Sequence, residues 1–390
     1  MVNIAIIGAS GNVGIEIKRC LEDSDIDIGS MIFVGSSKSS NNKIKFQEKK
    51  FTTVLIDEID FTFVDIAFFC TPADISKKFI EIALSKNVIV IDKSTAFRMD
   101  SRSFLTVNEI NVDKAISSLN SSLNRNQLKD TIGNSCRKGV LISNPNCCVI
   151  PLSVILFFLK QINSISRVIA STYQSVSGVG LRGNKELYDQ VERYISTTQK
   201  NYDHNSNNHD KYKIKSIDKS IFNGQIAFNV IPQIGDINEY GDSEEEEKIS
   251  QEILRILDIE CSVTCVRVPT FISHGISVNV EFENYVDIND IIASFNKNSD
   301  IIEFIDNSSI AGSNSLIENA TPINSNFSNK IYVSRLRKDK SIRCGGSDNY
   351  NLSKAFNLWI SCDNLRKGAA LNAVQVASKI ITNFKNSFKF

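Results

Sequence analysis

The sequence predicts an α/β protein. An N-terminal doubly wound parallel sheet of Rossmann type is completed by the last helix of the chain, with an α+β domain between. Three observations predict this. Strand-like and helix-like runs alternate through the first 146 residues, which is the pattern of a parallel sheet with helices on both faces. A glycine-spaced turn joins the first strand to the first helix. An apolar-faced helix closes the chain and suits packing on that sheet. The expected division is 1–146 with 363–390 for the first domain and 147–362 for the second.

Composition excludes several classes. The 390 residues carry 44 basic and 44 acidic side chains, so no basic surplus argues for nucleic acid or an anionic membrane surface. The apolar share of 42% is enough for large cores. No apolar run approaches the roughly 18 residues of a membrane span. The start, Met1-Val2-Asn3-Ile4-Ala5, leads into a strand and not into a signal peptide. Nine cysteines are an odd number without metal-like CxxC pairing. Together these predict a reduced, cytoplasmic enzyme with no metal. The richness in Asn, Ile and Lys reads as genome composition.

The first strand, Val2 to Ile7, runs into Gly8-Ala9-Ser10-Gly11-Asn12-Val13-Gly14 and then an amphipathic helix with Ile15, Ile17, Cys20 and Leu21. Strand, glycine turn and helix form the context of a dinucleotide fingerprint, with the pyrophosphate at the helix N-terminus. The next strand, Met31 to Val34, is followed by Gly35, Ser36, Ser37 and Lys38. An acidic residue there would bind the ribose diol of NAD; serines and a lysine suit the 2′-phosphate of NADP. The plainer reading of that stretch is a solvated polar loop. Val64–Cys70 is a buried strand stopped by Thr71-Pro72, Ile75–Lys86 a helix, and Val88–Asp92 a further strand. Thr71, Ser94 and Arg98 follow strand ends, where ligands gather in such sheets. Residues 114–137 read as a polar surface insertion.

Val140-Leu141-Ile142 is a short buried strand before Ser143-Asn144-Pro145-Asn146-Cys147-Cys148, and an apolar helix follows. Asn146 can cap that helix, and Cys147 then lies in its first turn, where the dipole favours a thiolate. Most cysteines before an apolar helix are packing residues, so the case for a nucleophile rests on the rest of the chain. Arg167–Gln174 reads as a strand, Asn184–Ile195 as a helix and Ile226–Gln233 as a strand closed by Pro232. Glu244-Glu245-Glu246-Glu247-Lys248 begins a helix, and acidic residues in a first turn are expected for stability alone. Cys265–Pro269 and Ser277–Phe282 read as strands around a Ser-His-Gly turn holding His274. His204 and His209 lie in an asparagine-rich loop without metal-site patterning. His274 is the histidine whose position a fold could fix, and the natural acid/base partner for a thiol. From Asp363 a final helix presents Ala373, Val374, Ala377, Ile380 and Ile381 on one face.

These blocks, in this order, resemble the aspartate-β-semialdehyde dehydrogenase family over nearly the whole chain. The most specific are Ser143–Cys147, Ser171–Gly178, Phe228–Gln233, and Arg267-Val268-Pro269 with His274. The resemblance implies a catalytic and dimerisation role for the second domain and a homodimer or homotetramer. It implies NADPH-dependent reductive dephosphorylation of L-aspartyl-4-phosphate to the semialdehyde, serving lysine/diaminopimelate, threonine and methionine biosynthesis. It puts the nucleophile on Cys147, the thioester-positioning residue on Gln174 and the acid/base on His274. It puts the substrate carboxylate on Arg267, the substrate amine on Glu245 (with the register of the acidic run open by a residue) and phosphate on Arg98, Asn146 and Lys248. Cofactor contacts are expected at Gly8, Ser10, Gly11, Asn12, Val13, Gly14, Ser36, Ser37, Lys38, Thr71, Ser177, Gly178 and Asn364. Departures are Cys148 where a small polar residue is usual, Pro151 for a polar residue, Lys38 for a frequent arginine, and the length of 114–137. N-acetyl-γ-glutamyl-phosphate reductase shares fold and chemistry, but its Gly-Cys-Tyr-Pro setting is absent. An inactive NADP-binding protein would have lost one of Cys147, Gln174, Arg267 or His274, and all four are present.

Overall fold

The computed structural model describes residues 1–37, 41–117, 139–198, 220–306, 319–342 and 351–384. Lys38, most of the 114–137 insertion, His204 and His209 lie outside these residues. The chain forms two compact units: Met1–Phe157 with Arg255–Asp258 and Arg366–Phe390, and Phe158–Leu254 with Ile259–Leu365.

The strands of the first unit are β1 (Val2–Ile7), β2 (Ile28–Gly35), β3 (Lys43–Phe46), β4 (Lys49–Thr52), β5 (Val54–Leu55), β6 (Ile66–Phe69), β7 (Ile89–Asp92), β8 (Phe104–Leu105) and β9 (Val140–Ser143). Seven of them form one sheet in the order β5-β2-β1-β6-β7-β9-β8, every pair parallel, while β3 and β4 make a separate hairpin. Side chains alternate along each strand, so Ile4 and Ile6 of β1 join one core while Ala5 and Ile7 join the other. Helices α1 (Asn12–Glu22) and α2 (Ala73–Ser85) cover opposite faces in this way. Helix α3 (Val149–Lys160) follows β9. The chain's last helix packs with α1, through Ala373, Val374, Ala377, Ile380 and Ile381, as the sequence predicts. Strand order reverses at β1, and in such sheets ligands bind beyond the carboxyl ends of the strands at the reversal, here β1 and β6.

The second unit is built on a six-stranded mixed sheet of β10 (Ile165–Gln174), β11 (Cys261–Arg267), β12 (His274–Asp287), β13 (Ile302–Ile305), β14 (Ile331–Lys338) and β15 (Leu352–Cys362), ordered β11-β10-β12-β15-β14-β13. Helices α4 (Leu181–Thr198), α5 (Glu244–Leu257, of which Arg255–Leu257 are counted with the first unit), α6 (Ile288–Lys297) and the short α7 (Pro322–Ser325) complete it; α8 (Leu371–Asn383) is the last helix of the first unit. No helix among the described residues is long and apolar enough to cross a membrane.

Two expectations are corrected. Ile226–Gln233 is not a strand. Its first two amides donate to the Gln190 carboxamide oxygen at 2.9 and 3.0 Å, and Phe228 turns to φ +61°, leaving a single bridge from Ile231 to Arg267. His274 is not within a turn; it is the first residue of β12, and the turn is made one residue earlier by Ser273 at φ +69°.

Candidate active site

In the first unit the glycines of the β1–α1 turn have different jobs. Gly8 has φ +87°, and a Cβ there would lie 2.6 Å from the Cys70 carbonyl oxygen at the end of β6. A Cβ on Gly14 would lie 2.3 Å from the Gly8 carbonyl oxygen, so α1 could not pack so close. Gly11 is open: its nearest neighbour would be 3.5 Å away, and it caps α1 without a side-chain bond. First-turn amides are therefore presented over an uncrowded backbone, and the Asn12 Nδ2 is buried with no protein partner. These features fit a dinucleotide pyrophosphate. Val13 packs partly buried against the core, Ser10 is exposed, and Thr71 bonds Ser76 at 3.0 Å beside the turn. Ser36 and Ser37 are exposed after β2.

The Cys147 loop leaves the carboxyl end of β9 in the same unit. The Asn146 side-chain oxygen accepts from the Cys148 amide at 2.7 Å, and its backbone carbonyl accepts from Ile150 at 3.1 Å. Asn146 thus caps a turn made by Cys147 and Cys148, and the helix proper begins at Val149, since Pro151 has no N–H to bond the Cys147 carbonyl. Cys147 is half-buried, whereas Cys148 is fully buried. The turn is pinned: the buried Asn372 of α8 donates to Asn144 Oδ1 at 2.7 Å and to the Thr106 carbonyl at 3.0 Å. Arg98 is buried and donates to the carbonyls of Ser94 (3.1 Å) and Lys93 (2.8 Å). Burial pushes the thiols of Cys70 and Cys261 up to about 12, and that of Cys265 up as well, which sets them aside as nucleophiles.

In the second unit the sheet register assembles a row of polar side chains. Gln174 ends β10 directly opposite Arg267 at the end of β11, and His274 begins β12 opposite Cys362 at the end of β15. All three are buried. The Gln174 Nε2 donates to Glu245 Oε1 at 3.1 Å, which distinguishes Glu245 within the acidic run. Glu246 instead caps the helix, accepting from Ser243 N–H at 2.7 Å and Cys265 N–H at 2.8 Å; Glu247 accepts from Gln251, and Glu244 pairs with Lys248 at 3.1 Å. Arg267 Nη1 donates to the Ser175 carbonyl at 2.8 Å, and its guanidinium lies over the Phe222 ring at 5.9 Å. A Cβ on Gly178 would lie 3.0 Å from Arg267 Nη1 and 3.8 Å from the His274 ring, so Gly178 lets both side chains close on the loop. A cavity of about 70 Å³ beside Arg267 is lined by Phe222, Asn223, Ile231 and Gln233. Asn364 Oδ1 accepts from Ser177 Oγ at 3.1 Å and from the Ser273 amide at 2.9 Å.

Residues 3–118 match the family model "Semialdehyde dehydrogenase, NAD binding domain", and 158–367 match "Semialdehyde dehydrogenase, dimerisation domain". An aspartate-semialdehyde dehydrogenase of Rickettsia bellii is 40% identical over 98% of each chain. The chain belongs to the aspartate-semialdehyde dehydrogenase family. That of Bacillus subtilis is 29% identical over 97% of each chain. Among solved structures, aspartate semialdehyde dehydrogenase II of Vibrio cholerae, in complex with ASA, has a TM-score of 0.81 at 29% identity and covers 100% of this chain. The fold of the NADP-bound Candida albicans enzyme is shared at a TM-score of 0.68. The glycine turn and the NAD-binding match agree on a nicotinamide dinucleotide as cofactor.

Sequence reasoning did not single out Ser175, Phe222, Gln190 or Asn372. Asn372 carries a signal in retrospect: it is a polar residue beside the apolar stripe of α8. Phe222 and Gln190 carry none, because their roles depend on a loop fold that local pattern does not encode.

Proposed function

We propose that this chain catalyses the NADP-dependent, reversible interconversion of L-aspartyl-4-phosphate and L-aspartate-4-semialdehyde. The observation that carries the reading is the row formed by Arg267, Gln174 with Glu245, and His274 across the ends of β11, β10 and β12, in a chain of this family. The row offers a planar fork for a carboxylate, a carboxylate for an ammonium group and an imidazole for a reacting oxygen, which together describe an α-amino acid with a carbonyl side chain. Cys147 as thiolate attacks the acyl phosphate, and Arg98, Asn146 and Lys248 hold the phosphate that leaves. The cofactor, when bound at the β1–α1 turn, supplies hydride. Gln174 positions the thioester, and His274 serves the oxygen that gains charge as it is reduced. Arg267 fixes the substrate relative to the thiol.

NADP is the proposed cofactor because no acidic residue follows β2, and Ser36, Ser37 and Lys38 stand there instead. A homodimer through the second domain is proposed, along with a place in the synthesis of lysine, threonine and methionine. The test is reduction of NADP by L-aspartate semialdehyde with and without phosphate. Phosphate-dependent turnover is expected. Its absence, or turnover only with an N-acetylated substrate, would refute the reading.

A further inference from the structure

We propose that Asn372, near the start of α8, is a positioning residue for Cys147: its buried carboxamide holds the turn that carries the thiol, and turnover depends on that hold. This rests on the function proposed above for the role of Cys147 as nucleophile.

One side chain ties three stretches of the first unit together. Asn372 Oδ1 accepts from the Asn108 backbone N–H at 2.9 Å, and its Nδ2 donates to the Thr106 carbonyl at 3.0 Å. A backbone N–H can only donate and a carbonyl oxygen only accept, so these two groups fix which way the carboxamide faces. Its second Nδ2 hydrogen is then aimed at Asn144, which meets it with Oδ1 at 2.7 Å. The reverse orientation of Asn144 would set two amino groups against each other. Both asparagines are 1% exposed, so water does not readily replace the bond.

Asn144 opens the turn. Its own N–H donates to the Asp92 carbonyl at the end of β7 at 2.7 Å, and Ser143 before it bonds the Ser103 hydroxyl at 2.6 Å. Pro145 follows with its φ fixed by the ring, and Asn146 then caps the turn that holds Cys147. A shift at Asn144 therefore passes to the thiol through a proline and a cap, neither of which absorbs it. The far end of the strut is held as well. Glu109, next to Asn108, pairs with the buried Lys367 of the π-helical turn Arg366–Ala370 that leads into α8.

The arrangement is not the most stable one available. With Oδ1 committed to Asn372, the Asn144 Nδ2 is buried and has no partner among the described residues. Burying a donor unpaired is unfavourable, and a side chain without the amino group would avoid it. Stability alone does not account for this pair three residues before the nucleophile, whereas placement of the turn does. Asn372 acts only through the place it gives Cys147.

The test compares four full-length variants, Asn372→Ala, Asn144→Ala, the double change and Val376→Ala, well below their melting temperatures. In phosphate-dependent oxidation of L-aspartate semialdehyde, Asn372→Ala and Asn144→Ala should each lose about 10²-fold in kcat, the usual effect of misplacing a reacting group by about 1 Å. NADPH affinity by fluorescence titration should stay at the wild-type value. The double variant should be no worse than the worse single, because the two residues act through one bond. Val376→Ala removes buried core volume from the same helix, so it should melt earlier yet keep the wild-type kcat. Asn144→Ala keeps both bonds of Asn372 to the backbone, and so tests the link by itself if Asn372→Ala does not fold. The pH midpoint for iodoacetamide alkylation of Cys147, located by peptide mass spectrometry, should rise in both single variants as the thiol leaves the helix end. A wild-type kcat in Asn144→Ala, losses that multiply in the double variant, an equal loss in Val376→Ala, or an unchanged alkylation midpoint would each overturn the proposal. A wild-type enzyme inactive on the semialdehyde would defeat the proposed function instead, and the alkylation arm would still decide whether Asn372 places Cys147.

Discussion

Replacing Gly14 by alanine separates the packing role of the glycine turn from its ligand role, with Gly11→Ala as the contrast. Gly14 lies in the first turn of α1, so propensity alone would make alanine favourable by about 0.5–1 kcal/mol. Its Cβ, however, would sit 2.3 Å from the Gly8 carbonyl oxygen and 2.8 Å from the Ala9 Cα. Both are backbone atoms, and Gly8 is itself held at φ +87°, so no side chain can swing aside. Helix α1 must retreat by about 1 Å to restore van der Waals separation, and it carries Ile17, Cys20 and Leu21 of the core with it. Overpacking of this kind costs about 1–3 kcal/mol, and three backbone contacts put it at the upper end. The net loss is about 2 kcal/mol, a fall of roughly 4–8 °C in melting temperature for a unit of this size. Gly11 has φ −81° and ψ 162°, which alanine adopts freely, and its Cβ would meet nothing closer than 3.5 Å. Gly11→Ala should therefore melt within about 1 kcal/mol of wild type, the cost of a poorer cap, yet weaken NADP binding at least about tenfold by occupying the pyrophosphate approach. Calorimetry and a fluorescence titration with NADPH read the two effects. A Gly14→Ala protein as stable as wild type, or a Gly11→Ala protein of unchanged affinity, would refute the reasoning.

Arg267→Lys keeps the charge but loses the fork and the stacking over Phe222, so KM for the semialdehyde should rise and kcat fall, with NADP affinity unchanged; steady-state kinetics with an unchanged KM would contradict the carboxylate clamp. Lys38→Glu should shift preference from NADP toward NAD by an interaction of about 1–3 kcal/mol, measured as the ratio of kcat/KM for the two cofactors, and equal use of both by the wild type would count against the assignment. Burial opposes ionisation of Glu109, but its ion pair with the buried Lys367 outweighs this and holds the carboxyl below its ordinary value of 4.5. A depressed carboxylate stabilises the fold above its unfolded value, and that stability should drain away as pH falls below about 4.5 through the lowered one. Lys367→Met should cost about 3–5 kcal/mol at neutral pH by stranding Glu109, and adding Glu109→Gln should restore much of it in denaturant melts.

Most of the first unit was legible because its signals are local. Parallel strands buried on both faces read as unbroken β-branched runs, and the glycine spacing marked the β1–α1 turn by itself. The second unit was less legible where partners come from far along the chain. Ile226–Gln233 has the composition of a strand, yet Gln190 of α4 takes its first two amides, and Phe228 turns to φ +61°. Four consecutive glutamates look alike in sequence, and only their angular positions on α5 separate the one facing Gln174 from the cap and the exposed pair. The types at Cys147, Gln174, Arg267 and His274 were visible in sequence. The orientation of the His274 ring was not, because it is set by one backbone amide 99 residues away.

In the proposed reaction, substrate is carried as a thioester on Cys147. Enzyme mixed with L-aspartate semialdehyde and NADP in the absence of phosphate, quenched in acid and mapped by peptide mass spectrometry, tests it most directly. The aspartyl group is expected on Cys147, released when phosphate is added before the quench and absent from a Cys147→Ser protein. An acyl group on Cys148, or phosphate-dependent turnover by the serine variant, would contradict it.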